Sequence, residues 1–305
     1  MGNQPQIAIT GTTGFVGAYL KQHFQVLGYQ TTDIDLRKPS YPSQHLLRDM
    51  VVHLAGKAHD LKKVSNEESY FEVNTELTKK VFDAFLKSQA SIFVYVSSIK
   101  AVADSTNGQL VTESMQPQPG TAYGKSKLAA EASLLAQPLP ETKKLYILRP
   151  CMIHGPGNKG NFNLLYQVVK KGIPWPLGAF NNKRSFLSVD NFCFVIDQIL
   201  SQRLEPGTYH LADTEPLSTN ELVRLIASEL NSSANIVSIP KGFVKALARM
   251  GDWLPLPLNS ERLEKLTENY IVSNHKLLTA LGTQLPVTAE LGMRKTIHSF
   301  IKLKS

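Results

Sequence analysis

The 305-residue chain is poor in cysteine, in charge and in long apolar runs, and each scarcity excludes something. Two cysteines, Cys151 and Cys193, build no disulfide framework and stand at no metal-ligand spacing. No apolar run approaches the ~18 residues of a membrane span. Charged residues make up 19% and hydrophobic ones 42%, the balance of an ordinary soluble globular protein. The net charge of +8 would suit an anionic ligand, a nucleic acid or a membrane surface, but the cations form no dense run interleaved with aromatics. No nucleic-acid and no membrane partner is therefore expected. The sharpest basic cluster, Arg294-Lys295 to Lys302-Lys304, reads as a last helix packing one apolar face (Ile297, Phe300, Ile301) rather than as a membrane-surface helix. Residues Met1 to Pro5 lack a signal-peptide charge pattern, and Gln6 breaks the myristoylation pattern that Gly2 opens. The expected location is the cytoplasm. Internal repeats and low-complexity segments are absent too.

What is present begins with a strand, Gln6 to Thr10, followed at once by Gly11-Thr12-Thr13-Gly14-Phe15-Val16-Gly17 and a helix that Gly28 ends. Glycines in a strand-to-helix turn allow a tight bend and close backbone approach, and a pyrophosphate fits the helix N-terminus. A second strand, Gln30 to Ile34, ends in Asp35, eighteen residues past Gly17, where a carboxylate can accept from a ribose diol. This reads as a dinucleotide site. Asp35 would repel a 2′-phosphate whereas Arg37 could bind one, and NAD(H) is favoured over NADP(H).

Strand and helix keep alternating. Strands are expected at Met50 to Leu54, Ser91 to Val96 and Leu145 to Leu148, with an amphipathic helix at Ser69 to Gln89 that contains Val73-Asn74. Such alternation is the signature of an α/β fold, a parallel sheet with helices on both faces. Lys57, His59, Lys62 and Lys63 follow Ala55-Gly56 and read best as surface cations, with His59 a candidate for touching substrate. Ser97-Ser98-Ile99-Lys100 falls at the carboxyl end of a strand, where open α/β sheets place their ligands. After Gly155-Pro156-Gly157 the composition changes, and a proline-punctuated, largely helical part follows, with Ser218 to Glu221 resembling a capping box. The expected division is a dinucleotide-binding part over 1–160, to which 185–212 returns, and a second part over 161–305.

At the centre stands Ala122-Tyr123-Gly124-Lys125-Ser126-Lys127, at the head of a helix-forming run. Tyr123 and Lys127 are four residues apart and so share a helix face. A free tyrosine, with a pKa near ~10, is a poor base at neutral pH. Moving it to about 7 takes roughly 4 kcal/mol, about what one ammonium ~4 Å away supplies at an effective dielectric of ~20. Tyr-x-x-x-Lys is thus a workable proton shuttle for an alcohol or ketone.

These features, in this order, with His53-Leu54-Ala55-Gly56, Arg149-Pro150 and Arg184 before Val189-Asp190, resemble the extended short-chain dehydrogenase/reductase superfamily of nucleotide-sugar epimerases, dehydratases and reductases. The segments Asn161 to Leu165, Pro174-Trp175-Pro176-Leu177-Gly178 and Ser185 to Asn191 look most like the bacterial UDP-N-acetylquinovosamine 4-reductase/dehydrogenase branch, close to UDP-glucose 4-epimerase and serving O-antigen synthesis. The resemblance implies a Rossmann-type doubly wound parallel sheet with a smaller, mostly helical C-terminal substrate domain. It implies Tyr123 as acid/base at the sugar O4, and Lys127 lowering the tyrosine pKa and holding the nicotinamide ribose. Ser98 would bond the same oxygen, with Ser97 the alternative if the register slips by one. It further implies Gly11, Thr13, Gly14, Phe15, Val16 and Gly17 around the pyrophosphate, Asp35 and Arg37 near the adenosine ribose, and Leu54, Ala55, Gly56 and Pro150 beside the cofactor. Arg184, Arg262 and Asn161 would hold the diphosphate of a UDP-sugar. Lys100 would contact the substrate and Trp175 would line the base.

The segment between Asp35 and Val51 is shorter than the family's, so its next strand and adenine-binding acid are expected to be missing. His154 stands where tyrosine is frequent, and a Cys151/His154 nucleophile pair is conceivable, though a loop contact in the cleft fits better. The implied activity is reduction of a UDP-4-keto-6-deoxy-N-acetylhexosamine, the alternative being 4-epimerisation of UDP-glucose or UDP-N-acetylglucosamine with tightly bound NAD. A 4,6-dehydratase is disfavoured because that chemistry resembles Thr followed by Asp-Glu where this chain has Ser98-Ile99-Lys100. A non-catalytic dinucleotide sensor would usually have lost the tyrosine or lysine. A homodimer through the Tyr123 helix and the Ser69 to Gln89 helix is also implied.

Overall fold

Strand β1 (Gln6–Thr10) is the axis from which the sheet grows in both directions. In the computed structural model, which describes residues 5–38, 47–58, 66–106, 108–158, 161–253 and 258–302, β2 (Gln30–Ile34) pairs with one edge of β1 and β3 (Met50–His53) with the other. Beyond β3 come β4 (Ile92–Val96), β5 (Lys144–Pro150) and β8 (Gly207–Leu211), giving a six-stranded parallel sheet in the order β2-β1-β3-β4-β5-β8. The order reverses at β1, so the crevice of this sheet lies beyond Thr10 and its parallel partner His53. This is the α/β arrangement that the alternation implies and the Rossmann-type sheet that the resemblance implies. His59 falls outside the described residues.

Both sheet faces are covered, which is why the strands read as near-continuous apolar runs. Helix α1 (Phe15–Val26) and helix α6 (Val189–Leu200) bury Leu20, Phe24, Phe192 and Ile196 against Ile7, Ile9, Val52 and Val94. On the other face α3 (Leu77–Leu86) and α4 (Ala122–Leu135) bring Val81, Phe85, Ala130 and Leu134 onto Ala8, Val51, Phe93 and Tyr95. With α6 and β8 the chain re-enters this sheet after leaving it.

The helix expected over Ser69 to Gln89 is three pieces end to end: α2 (Glu67–Phe71), a π-helical turn (Glu72–Glu76) and α3. The widened turn buries Asn74 and Thr75.

The remaining elements form a second, mainly helical layer. Two three-residue strands, β6 (Met152–His154) and β7 (Phe186–Ser188), pair in parallel, too short for any periodicity to announce them. Helices α5 (Asn161–Lys170), α7 (Thr219–Glu229) and α11 (Ala289–Lys302) share a core of Phe162, Tyr166, Ile226, Met293, Ile297 and Phe300. The Ser218/Glu221 capping box opens α7 as its sequence suggests. Helices α8 (Lys241–Gly251) and α9 (Ser260–Thr267) close over Trp175, Leu177 and Phe180, and α10 (His275–Leu281) precedes α11. The apolar face of α11 is buried, as expected of a packing helix, and no described helix is long and apolar enough to cross a membrane.

Candidate active site

Strand ends β1, β3 and β4 deliver their following loops to one edge of the sheet, and the site is built there. At β1 the backbone turns through Gly11 (φ +74°), and the Gly14 amide donates to the Gly11 carbonyl at 3.0 Å. A Cβ on Gly11 would come within 2.8 Å of the Ala55 amide nitrogen, and one on Gly17 would strike the Gly11 carbonyl. Only glycine permits this packing of turn, helix and neighbouring loop. The first turn of α1 has no side-chain cap and no acid, so its amides are open to an anion. Thr13 is exposed at the rim and Phe15 and Val16 are half-buried just inside it. After β2, Asp35 is gripped by Arg37 through two bonds, at 2.8 and 3.2 Å, and this pairing holds the carboxyl below its usual range. Pro150 is buried at the end of β5. A glycine cradle, an uncapped helix start and a strand-end carboxylate together fit a nicotinamide dinucleotide.

Across the crevice stands α4. Asp104 accepts from the Gly120 and Thr121 amides and the Thr121 hydroxyl, and Thr121 caps the helix on Gly124 at 3.2 Å. Gly124 packs so closely on the Lys100 carbonyl that no side chain would fit. These contacts seat Tyr123 beside Ser98. Burial raises the Tyr123 phenol above its ordinary 10, a hydrogen bond with Ser98 pulls it partly back, and Tyr70, edge-on at 6.5 Å, opposes that pull. Lys127 is 4% exposed; it donates to the Val96 carbonyl at 3.0 Å and lies 4.9 Å from the Tyr95 ring centroid. Burial pushes its ammonium down to about 8, against the pull of Glu131. The expected lowering of the phenol by Lys127 is therefore not what dominates here: the lysine is committed to a carbonyl, and burial keeps the tyrosine protonated.

The two serines differ in their partners. Ser97 donates to Glu131, which is locked onto Arg149 in a buried pair at 2.6 Å. Ser98 accepts the Lys100 amide, at 3.2 Å, as cap of the short 3-10 turn Ile99–Ala101, leaving its hydroxyl proton to the Tyr123 side.

Toward the second layer, Lys100 donates to the Asp104 carbonyl at 2.6 Å and its ammonium lies 4.3 Å from the Tyr270 ring centroid. Burial lowers it, and the Arg184 charge lowers it further, against Asp104 and Glu268. Arg184 donates to the Lys265 carbonyl at 2.7 Å and pairs through its backbone with Leu217 and Tyr270. Two half-buried cations thus face one region. Arg262 lies exposed on α9, the helix that receives Arg184. The Asn161 side chain falls outside the described residues, though its backbone opens α5.

Trp175, expected to line the base, is buried. It is 7% exposed, its indole N–H donates to Asn220 at 3.1 Å, and it packs among Leu177, Phe180, Val223 and Val244. It is a core side chain. Nor is Cys151 a nucleophile, since burial drives its thiol far above its ordinary value. His154 is buried too, with Nδ1 3.0 Å from Thr296 and Nε2 3.5 Å from Asp213. Among the described residues no group of three or more His, Cys, Asp or Glu is placed to hold a metal.

Asn74, noted in the sequence only as part of a helix, acquires a definite place in the structure. It is fully buried in the π-helical turn, accepts from the Lys57 amide at 2.7 Å, and donates to the Lys57 carbonyl and to Ser126, each at 3.0 Å. It ties the loop after β3 to α4. Propensity gave no signal for it, because its neighbours Val73 and Thr75 are no better helix formers than asparagine.

The NAD dependent epimerase/dehydratase family profile matches residues 7–212. The chain belongs to that family. A UDP-glucose 4-epimerase of Vibrio cholerae is 28% identical, over 97% of this chain and 95% of its own. A GDP-6-deoxy-D-mannose reductase of Pseudomonas aeruginosa is 24% identical, over 80% and 86%. Among solved structures, MoeE5 in complex with UDP-glucose and NAD superposes with a TM-score of 0.75 at 18% identity, over 99% of this chain and all of that one, which speaks for the shared fold. The chain's relatives include nucleotide-sugar epimerases, reductases and dehydrogenases, and also 3β-hydroxysteroid dehydrogenases.

Proposed function

We propose that the protein is an NAD(P)-dependent oxidoreductase acting at C4 of a UDP-sugar, reducing a UDP-4-keto-6-deoxy-N-acetylhexosamine on the way to a bacterial polysaccharide. The observation that carries this reading is Tyr123, held protonated by burial beside the Ser98 hydroxyl, one helical turn from the buried ammonium of Lys127. A protonated phenol is the acid that a ketone reduction requires. A bound nicotinamide would supply hydride for the sugar carbon. Ser98 and Tyr123 bond the ketone oxygen, and Tyr123 gives its proton as negative charge develops there. Lys127 anchors the nicotinamide ribose and steadies the phenolate left behind. Gly11 to Gly17 cradle the pyrophosphate, and Asp35, despite its bond to Arg37, keeps lone pairs for a ribose diol, which favours NAD(H) over NADP(H). Lys100 and Arg184 supply the cations for the sugar-nucleotide diphosphate, with Arg262 at its edge. Residues 161–305 provide most of the substrate side, and a homodimer through α4 and the helix that runs from α2 through α3 belongs to the same reading.

The second reading is 4-epimerisation, favoured by the near full-length match to the Vibrio cholerae UDP-glucose 4-epimerase. It uses the same residues, since turning the keto intermediate over depends on room in the pocket. The two are separated by denaturing the purified protein and assaying released nicotinamide nucleotide. Stoichiometric NAD with turnover of an unsupplemented UDP-hexose means epimerase. An empty protein that consumes NAD(P)H only with a 4-keto sugar means reductase. In either case Tyr123→Phe should lower turnover roughly 10²–10⁴-fold; more than a few per cent of residual activity would refute the assignment.

A further inference from the structure

Beneath the site runs a file of buried polar groups that the mechanism above does not use. Thr10, His53, Thr78 and Asn74 are all 0% exposed. The Leu54 and Ala55 amides both donate to the Thr10 hydroxyl oxygen, at 3.1 and 3.0 Å. Thr10 Oγ1 lies 2.8 Å from His53 Nδ1, and His53 Nε2 lies 2.9 Å from Thr78 Oγ1. Thr78 in turn donates to the Asn74 backbone carbonyl at 2.8 Å.

The protons in this file have one arrangement. The Thr78 hydroxyl has a single hydrogen, and the Asn74 carbonyl, which cannot donate, takes it. Thr78 Oγ1 must then accept from His53, so the ring carries its proton on Nε2. His53 Nδ1 is left as an acceptor, and the Thr10 hydroxyl donates to it. The Thr10 oxygen then has both lone pairs for the two amides. The ring is neutral throughout, because burial and the nearby Lys127 charge hold it down to about 3.

The loop that this fixes is the floor of the crevice. The Ala55 amide abuts Gly11, and a Cβ on Gly56 would sit 3.1 Å from Lys127 Nζ and 3.0 Å from Asn74 Oδ1. A shift of Leu54–Gly56 would therefore change the clearance over Gly11 and the seat of Lys127 together. We propose that His53 is a positioning residue: as a fixed Nε2–H tautomer between Thr10 and Thr78, it orients the Thr10 hydroxyl so that its oxygen clamps the Leu54 and Ala55 amides, setting the loop on which a dinucleotide rests. The effect on dinucleotide binding rests on the cofactor reading above; the tautomer does not.

The test uses the full chain. Nitrogen-15 NMR of the ligand-free protein should show His53 protonated on Nε2 and bare on Nδ1, unchanged from pH 6 to 8. An Nδ1–H ring, or one that titrates in that range, overturns the inference. NAD affinity is then measured by calorimetry on Thr10→Val, Thr10→Ser, His53→Leu and His53→Asn, each checked for folding by circular dichroism. Loss of the clamp should weaken binding roughly tenfold in Thr10→Val and His53→Leu. Thr10→Ser, which restores the hydroxyl, and His53→Asn, whose amide oxygen stands near the Nδ1 position, should stay within about threefold. If folded Thr10→Val binds NAD like the wild type, the positioning role is wrong. Should Val and Leu variants not fold, a Ser and Asn pair as weak as tenfold overturns it equally. A wild type that binds neither NAD(H) nor NADP(H) sinks the cofactor reading instead, while the NMR result still decides the tautomer.

Discussion

Lys127 shows how a single side chain can be costly to the fold and necessary to the site. An ammonium moved from 10.5 to about 8 by burial is disfavoured by ~3 kcal/mol in the folded state. The sign follows from proton counts. Between about pH 8 and 10.5 the unfolded chain holds a proton on this lysine that the folded one has released, so folding stability rises with pH across that window. Below about 8 both states are charged and the whole penalty is present. Lys127→Met removes the penalty along with the bond to Val96, the latter worth about 1 kcal/mol. The variant should be about 2 kcal/mol more stable at pH 7, read as a higher urea midpoint, with the gain fading toward pH 10.5. Its turnover should fall at least as far as that of Tyr123→Phe. A Lys127→Met protein that is less stable at pH 7 would show that burial is not what shifts the lysine. The sequence displayed the Tyr-x-x-x-Lys spacing plainly, but which partner each group takes is decided by strand ends, and there the carbonyl of Val96 wins the ammonium.

Elements were legible where local chemistry specifies them. The Ser218 box, the helix that Gly28 ends and the glycine turn stand where their sequences place them, because caps, periodicity and tight turns are settled within a few residues. The π-helical turn at Glu72–Glu76 was not, since its extra residue is justified by Asn74 reaching Lys57 and Ser126 across the tertiary fold. Trp175 was equally open in sequence: a large aromatic between prolines reads as a ligand surface, and the fold buries it with Asn220 accepting its N–H. Helix α4 and strand β5 are joined by a contact equally invisible in one dimension, the pair between Glu131, 1% exposed, and Arg149, 8% exposed. Breaking one side leaves a buried charge without its counterpart. Glu131→Gln should therefore cost roughly 3–5 kcal/mol of unfolding free energy in urea, whereas Glu131→Leu with Arg149→Met should come within about 1–2 kcal/mol of wild type. If the double variant were as unstable as the single, the pair would be holding the sheet end by shape rather than by compensating charge.

At the scale of the whole molecule, the ends of the chain are brought onto one another. Tyr19 on α1 donates to Asp190 on α6 at 2.9 Å, and Lys295 on α11 reaches the same carboxylate at 2.7 Å. Composition marks a break near Gly155, yet α6 and β8 come after it and belong to the first sheet, while β6 pairs across to β7. A chain that crosses this often between its layers cannot melt one of them without loosening the other. Ile297, 0% exposed among Phe162, Tyr166, Ile226 and Met293, tests this from the helical layer. Ile297→Ala should cost about 2–5 kcal/mol by leaving a cavity in that core. If the layers unfold together, tryptophan fluorescence and loss of NAD binding should move to the same lower urea midpoint, while NAD affinity in the absence of urea stays that of wild type. Trp175 lies in the C-terminal core and the glycine turn in the sheet, so the two signals watch different layers. A fluorescence transition well before the loss of NAD binding would mean that the helical layer folds as a separate unit, and that α6 and β8 serve the sheet without coupling it to the C-terminal helices.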